Sequence, residues 1–422
     1  MTGRLAGGIL QLLQSGKRPA WLELLLSVDG SLAFSCWLAQ QTLASLLALR
    51  GTRPPPPADR KRLLFLTNER FSLPAARIRC ADMAWYLREA GFEADVFSYG
   101  ERYFAGQPGF YTRLSDTQKM LANLRATWDL RNEAGTVLIV QRTHYHALAA
   151  LALRRRLGAR IVLDLDDFDW KGNPNGFKWL CRFPPFRYDT LFQTLVKLAD
   201  GCIVSSHRLF ELVSPHHPNT ILIPTGVRPD RFPAHPHRDA PDVCFSWVGT
   251  LMHRENLNTL NLLIDQFLAI PSPVPKRLQI VGGGTWFGEL KKRAAAHPEI
   301  TILDWVHPDR ISELMRGVDV GLFPLFEDTE FSRCKSPTKM FEYMASRRAV
   351  IVSDLGEASR IIRHGRNGLL ARRPDEFGAL MKQLLEHPDL RRTLADRGLE
   401  TILSEYQLPH LAARLARFLS KL

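Results

Sequence analysis

Short apolar runs alternate with stretches of helical spacing along most of the 422-residue chain. Arg62–Thr67 (RLLFLT) is apolar almost throughout, as a strand covered on both faces of a parallel sheet must be. Ala75–Ala90 has apolar residues at helical spacing and stops at Gly91, a residue suited to the left-handed turn that closes a helix. Glu93–Ser98 returns to strand character. The same order recurs with strand Thr136–Gln141, helix Tyr145–Leu157 closed by Gly158, and strand Arg160–Leu165. Strands Asp200–Ser205 and Thr220–Pro224 follow. Alternation of this kind predicts a doubly wound parallel α/β sheet. It lapses over Arg231–Pro241, where prolines and histidines replace apolar residues as in a linker. It resumes at Val243–Val248 and runs through Leu278–Val281, Ile300–Leu303, Val318–Phe323, Ala349–Ser353 and Gly368–Ala371. Two such halves in tandem face a cleft, with ligands at the carboxyl ends of the strands.

Four segments result: 1–58, a helical extension with a proline-rich spacer; 59–235, the first α/β domain; 236–405, the second; and 406–422, a terminal helix that is free to pack back on the first domain. The extension breaks the pattern. Ser31–Leu49 is free of charge, yet Gln40, Gln41 and its hydroxyl residues make it weakly hydrophobic. Three readings stand: helices packed on the body, an interfacial amphipathic anchor and, behind these two, a membrane span. Pro54–Pro57 is predicted to form a stiff spacer. Six cysteines without C-x-x-C pairing or zinc spacing argue against a disulfide framework or a structural zinc, and for a reducing compartment.

Composition is that of a globular protein, with 45% hydrophobic and 23% charged residues. The balance of 56 basic against 43 acidic residues, a formal +13, points to anionic partners without choosing among phosphates, nucleic acid and a membrane surface. The excess is largest in residues 61–240, with 25 basic and 18 acidic side chains.

Candidate chemistry concentrates between Asp319 and Ala371. Ser336-Pro337-Thr338-Lys339 reads as a helix start, with Ser336 as cap and Pro337 as first helical residue. Unpaired N–H groups there suit a phosphate, and Lys335 and Lys339 flank it. Glu342 lies one turn on and can accept two ribose hydroxyls. Taken alone, the same residues are a capped surface helix with an ordinary Lys–Glu pair. The longer stretch KSPTKMFEYMASRRAVIVSDLGEASRIIRHGRNGLLA resembles the donor-site signature of family 4 (group 1) glycosyltransferases, retaining enzymes of the GT-B fold. The resemblance implies a GT-B protein of two Rossmann-like domains, with Glu342 on the ribose of a nucleotide donor. The Glu that in the family stands eight residues earlier and contacts the donor sugar is Cys334 here. Asp328 or Glu330 in the preceding loop is a candidate substitute.

In the second domain Gly249 follows a strand and allows close backbone approach to a diphosphate. The family's Arg and Lys beyond it are replaced by Thr250 and Glu255, leaving Arg254 or His253 to supply charge; a solvated loop is the stronger reading for His253. Gly283, within Gly282–Gly284, resembles the family's glycine turn, and Trp305 is either a base-stacking or a core residue. In the first domain, Pro74–Arg79 resembles the family's first loop, with Arg77 and Arg79 facing the cleft. Gln141 and Arg142 end one strand, and Asp164, Asp166 and Asp167 end the next. Asp164 is expected to bond to backbone. Asp166 falls where many relatives carry a His and is the candidate for contact with the acceptor hydroxyl or help in its deprotonation.

Lys339, Glu342 and Asp166 are thus the candidate catalytic residues. The resemblance implies transfer of a sugar from a nucleotide diphosphate sugar to an acceptor hydroxyl with retention, in polysaccharide, glycolipid or other cell-envelope synthesis. No tightly bound cofactor, no metal and no nucleic-acid partner are expected. A glycan or lipid-linked acceptor and an anionic cytoplasmic membrane face are the anticipated partners. A non-catalytic nucleotide-binding scaffold of the same fold and a nucleotide-sugar epimerase remain as alternatives.

Overall fold

The computed structural model describes residues 20–49, 62–106, 114–133, 135–171 and 176–422. Residues 1–19 of the extension and Pro54–Pro57 lie outside the described residues.

Two six-stranded, wholly parallel sheets form the body. The first comprises β1 (Arg62–Thr67), β2 (Glu93–Ser98), β3 (Val137–Gln141), β4 (Arg160–Leu165), β5 (Gly201–Val204) and β6 (Thr220–Leu222), in the order β2-β1-β3-β4-β5-β6. The second comprises β7 (Val243–Thr250), β8 (Lys276–Gly283), β9 (Ile300–Leu303), β10 (Val320–Phe323), β11 (Ala349–Ser353) and β12 (Leu369–Ala371), in the order β12-β11-β10-β7-β8-β9. Burial on both faces explains the unbroken apolar strands: β3 and β11 have every residue buried. Each sheet reverses winding at one place, between β1 and β3 in the first and between β7 and β10 in the second. Crevices at such points are where open α/β sheets bind ligands.

The segment after β1 departs from a plain helix. Ala75–Asp82 is a π-helix that continues as the α-helix Met83–Glu89, and seven of its eight residues are buried. A widened turn of this kind is common at functional sites. Gly91 (φ +92°) and Gly158 (φ +68°) both take positive φ, as helix-closing glycines do.

The terminal helix Leu408–Lys421 lies against the first domain. Leu408, Leu411, Leu415 and Leu419 share a core with Phe65, Met83 and Leu87, and Arg160 donates to the Leu422 carbonyl.

The amino-terminal helix Ala20–Leu49 is docked along Asp116–Asp129. Asp29 supplies the docking chemistry: its carboxylate accepts from the N–H groups of Asp116 (2.8 Å) and Thr117 (3.1 Å), donors that the start of that helix leaves unpaired. Gln40 donates to Thr127 (3.0 Å), and Gly30 sits so close to Trp179 that a Cβ would collide with the indole. The opposite face is bare. Leu24, Leu25, Val28, Leu32, Leu38, Leu46 and Leu49 are between 48% and 82% exposed.

Candidate active site

The second domain contributes the helix Thr338–Ala345. It begins one residue later than the sequence pattern suggests. Pro337 occupies the cap position and no side chain caps the helix, so Ser336 does not serve as N-cap. The Ser336 carbonyl instead closes a tight turn onto the Thr338 N–H (3.0 Å), which leaves the Ser336 hydroxyl buried without a partner. Lys339 Nζ donates to Glu342 Oε2 at 2.7 Å. Glu342 is 1% exposed, and its other oxygen, Oε1, has no hydrogen-bond partner. Buried polar atoms are nearly always paired. Two orphans within seven residues therefore mark a place where hydroxyl or phosphoryl groups can bind. Lys335 lies just outside, its ammonium 5.0 Å from the Phe331 ring.

At the strand ends, a Cβ on Gly249 would strike the Trp247 ring, and one on Gly282 would strike the Gly249 carbonyl. Gly283 still belongs to β8; Gly284, at φ +128°, makes the turn. Thr250 ends β7, and the exposed Arg254 opens the next helix with its guanidinium 5.7 Å from the Trp286 ring.

The sugar-contact substitutes are placed elsewhere. Asp328 pairs with Arg333 on the surface, and Glu330 pairs with Arg208 of the first domain (2.6 Å). Cys334 is fully buried against the first domain's core, and its carbonyl accepts from Ser206 Oγ (2.8 Å). None of the three is available to the helix start.

On the first domain the carboxyl ends of β1, β3 and β4 converge. Thr67 Oγ1 donates to Gln141 Oε1 (2.9 Å), joining the two strands across the switch point. Gln141 Nε2 in turn donates to Asp166 (2.8 Å). Arg142 is the hub. It grips Asp166 through two bonds (2.7 and 3.0 Å) and reaches Asp167 (2.8 Å), Glu69 (2.9 Å) and Asp169 (3.1 Å). Its backbone sits at φ +66°, a strained conformation for a side chain of this size. His144 stacks on Tyr188 and faces Asp169 at 3.3 Å.

This network sets the charge states. Burial acts to raise the Asp166 pKa, but the Arg142 guanidinium outweighs it and holds the carboxyl below its usual range. Asp166 is therefore an anion clamped by Arg142. Burial dominates at Asp167, whose pKa is raised to about 6 despite Arg142 and Lys335. Burial likewise raises Glu69.

The two loop arginines separate. Arg77 points across the cleft, with Nη2 3.7 Å from Glu342 Oε1. Arg79 does not face the cleft: it is 2% exposed, paired with Asp164 (Nε–Oδ2 3.1 Å) and bonded to the Ile223 carbonyl. Asp164 thus holds an arginine rather than backbone. Glu69, His144 and Asp169 were not singled out from the sequence. Their position just beyond a strand's carboxyl end was the available signal. Among the described residues no three His, Cys, Asp or Glu side chains are grouped to hold a metal ion.

Comparison with known proteins fits this architecture. The family profile described as "Glycosyl transferases group 1" matches residues 243–387. A search of curated protein sequences finds no match. Among solved structures, Anabaena HepE in complex with UDP and glucose aligns over 86% of this chain and 100% of its own, at 15% identity and a TM-score of 0.62. Sucrose-phosphate synthase from Thermosynechococcus elongatus covers 86% and 99%, at 16% and 0.67. The lipopolysaccharide outer core galactosyltransferase WaaB, in its apo form, covers 86% and 100%, at 15% and 0.57. The chain is a two-domain protein of the GT-B fold, and its second domain carries the group 1 glycosyl transferase pattern.

Proposed function

We propose that the chain is a glycosyltransferase that moves a sugar from a nucleoside diphosphate sugar to an acceptor hydroxyl, with retention at the anomeric carbon. The observation that carries the reading is the pair of buried oxygens without a hydrogen bond, Glu342 Oε1 and Ser336 Oγ, beside Lys339; Oε1 makes a longer ion-pair contact with Arg77 (3.7 Å). Ribose hydroxyls would satisfy Glu342. The developing charge on the departing diphosphate would fall to the helix start and to Lys339, Lys335 and Arg77. The domain that matches the group 1 profile is the one that holds Ser336, Lys339 and Glu342, and HepE, of the same fold, has been solved with UDP. Asp166 and Asp167 line the opposite wall, where the acceptor would enter. A charge-assisted hydrogen bond contributes about 1.5–3 kcal/mol, so Glu342→Ala should weaken UDP binding by roughly 10- to 150-fold. Lys339→Ala should reduce transfer to a similar degree. Wild-type titration and turnover in both variants would refute the assignment.

Cys334, turned into the first domain, favours one alternative: a member that binds nucleotide without transferring sugar. UDP binding with no turnover over a donor panel would select it.

For location we propose a peripheral enzyme on an anionic, cytoplasmic membrane face, acting on a glycan or lipid-linked acceptor of the cell envelope. The helix Ala20–Leu49 supports this. It is long and apolar enough by composition to cross a bilayer, but one face is spent on docking and the other presents an apolar stripe longer than soluble monomers usually expose. Leu121, Trp128 and Phe183 are further exposed apolar side chains in the segments it docks on, and the +13 balance favours acidic headgroups. Full-length Val28→Glu/Leu32→Glu should lose sedimentation with anionic vesicles while binding UDP normally; undiminished sedimentation would refute the proposal.

A further inference from the structure

Behind the second sheet, at the amino ends of its strands, lies a second concentration of positive charge. Arg238, Arg347, Arg348, Arg391 and Arg392 line a shallow surface pocket with Asp319 on its wall. The strands themselves place it: Asp319 precedes β10, and Arg348 precedes β11. The proposed nucleotide site is at the other end of the same strands.

The nearby carboxylates are held by three of the five arginines. Arg238 pairs with Asp319 (3.1 Å) and Asp242 (2.6 Å), and Arg347 with Asp396 (2.5 Å), which also meets His237 (3.1 Å). Asp389 reaches Arg392 at 3.6 Å. Arg348 and Arg391 have no carboxylate within ion-pair distance among the described residues; each donates to a single backbone carbonyl, of Pro236 (3.0 Å) and Leu384 (2.6 Å). Arg348 is 2% exposed and its Nε has no partner at all. A buried guanidinium with an idle donor is costly unless an anion meets it. Burial pushes the Arg348 pKa down to about 10 and lowers that of Arg391.

Arg347 holds φ +60°, the left-handed conformation that closes a helix, and with Arg348 it lines the pocket. The pair follows directly on the helix Thr338–Ala345, with Arg347 N–H bonded to the Met344 carbonyl and Arg348 N–H to that of Tyr343. Cations are favourable at a helix carboxyl end, but that accounts for one charge and not for five converging arginines.

We propose that this pocket is a second anion site, taking a phosphate group, free or as a monoester. Several forked guanidinium donors suit the three terminal oxygens of a phosphoryl group better than a carboxylate. The site does not depend on the sugar-transfer reading. Because it abuts the end of the helix that carries Lys339 and Glu342, occupancy there is in position to affect the cleft.

The test is thermal unfolding of the full chain in inorganic phosphate or glycerol phosphate, against sodium chloride at equal ionic strength, with wild type, Lys339→Ala, Arg347→Gly and Arg391→Ala. Glycine relieves the φ strain, so Arg347→Gly keeps the fold while removing a guanidinium. Ligand that binds only the folded state raises Tm. The site predicts a rise of several degrees in wild type and Lys339→Ala that is lost in Arg347→Gly and Arg391→Ala. A response to phosphate but not to glycerol phosphate would identify free phosphate as the ligand; a response to both, the esterified group. No rise in wild type, an equal rise with chloride, or a rise lost in Lys339→Ala and kept in the two arginine variants would each overturn it.

Discussion

Arg142→Met is the sharpest test of the first domain's wall of the cleft. One guanidinium lies 2.7–3.1 Å from four carboxylates, Glu69, Asp166, Asp167 and Asp169, all of them mostly buried. Methionine keeps much of the volume and removes the charge. Stranding buried partners in this way costs about 3–5 kcal/mol, and each kcal/mol shifts Tm by about 2–4 °C in a domain of this size, so the first domain should melt roughly 6–20 °C lower near neutral pH. The loss must also depend on pH. In the wild type Asp166 sits below its ordinary pKa, so its stabilisation is present above about pH 4 and is lost as pH falls further. Without Arg142 all four carboxyls are pushed up by burial and by one another. The folded state then binds protons that the unfolded state does not, and the variant regains stability as pH drops from ~7 toward ~5. The assay is differential scanning calorimetry of wild type and variant across that range. A Tm difference under about 3 °C, or one that does not shrink on acidification, would show that Arg142 is not the charge that holds this wall together.

Two further substitutions probe what supports the site. Asp116 is fully buried and accepts from the N–H groups of Lys178, Trp179 and Leu180 (2.8, 2.8 and 3.1 Å) besides pairing with Lys119. Asp116→Asn should cost about 2–3 kcal/mol and appear as faster hydrogen exchange at those three amides; unchanged protection there would refute the assigned role. Gly356 takes φ +61°, and a Cβ would come within 2.8 and 2.9 Å of the Ser332 and Arg333 carbonyls. Gly356→Ala should lower stability by about 1–3 kcal/mol in urea denaturation, and a neutral result would mean the turn repacks freely.

The parts of the site legible in the sequence were those contained in one segment. Lys339 and Glu342 share a helix, so three-residue spacing alone predicts their contact, and the 2.7 Å bond follows. Orientation was not legible. Cys334, Glu330 and Asp328 precede that helix directly, yet they turn to the domain seam or the surface because the short helix Glu330–Cys334 packs against the first domain. Ser336 illustrates a finer limit: a Ser-Pro pair resembles a cap, but the backbone turn that forms here takes the cap position for Pro337. The Arg142 hub gathers residues from 69 to 169, a tertiary arrangement with no local periodicity to announce it. The π-helix at Ala75–Asp82 was invisible for a related reason, since one widened turn barely changes the spacing of apolar residues over eight positions.

Charge balance across the seam explains why a diphosphate, and not a nucleoside alone, would suit the cleft. Outside the cleft the domains are joined by Arg208–Glu330 (2.6 Å), Arg360–Glu211 (3.4 Å) and His207–Glu357 (3.0 Å). At least one side chain of each pair is a third or more exposed, and contacts of that kind contribute about 0–1 kcal/mol apiece. Buried contacts across the seam include Glu342, between Lys339 and Arg77, and Cys334, whose carbonyl accepts from Ser206 and whose side chain lies in the first domain's core. Lys339 and Arg77 together carry one more unit of charge than Glu342, and neutral ribose hydroxyls leave that excess unmet. Phosphates entering with the ribose restore the balance, and the nucleotide takes over a role the empty protein fills internally. Raising salt from ~0.1 to ~1 M shortens the Debye length from ~10 to ~3 Å and should weaken the exposed pairs while sparing the buried one. The radius of gyration in X-ray scattering should then rise with salt for the free protein and rise less with UDP bound. An identical salt response with and without UDP would mean that Glu342 and its two cations do not govern closure.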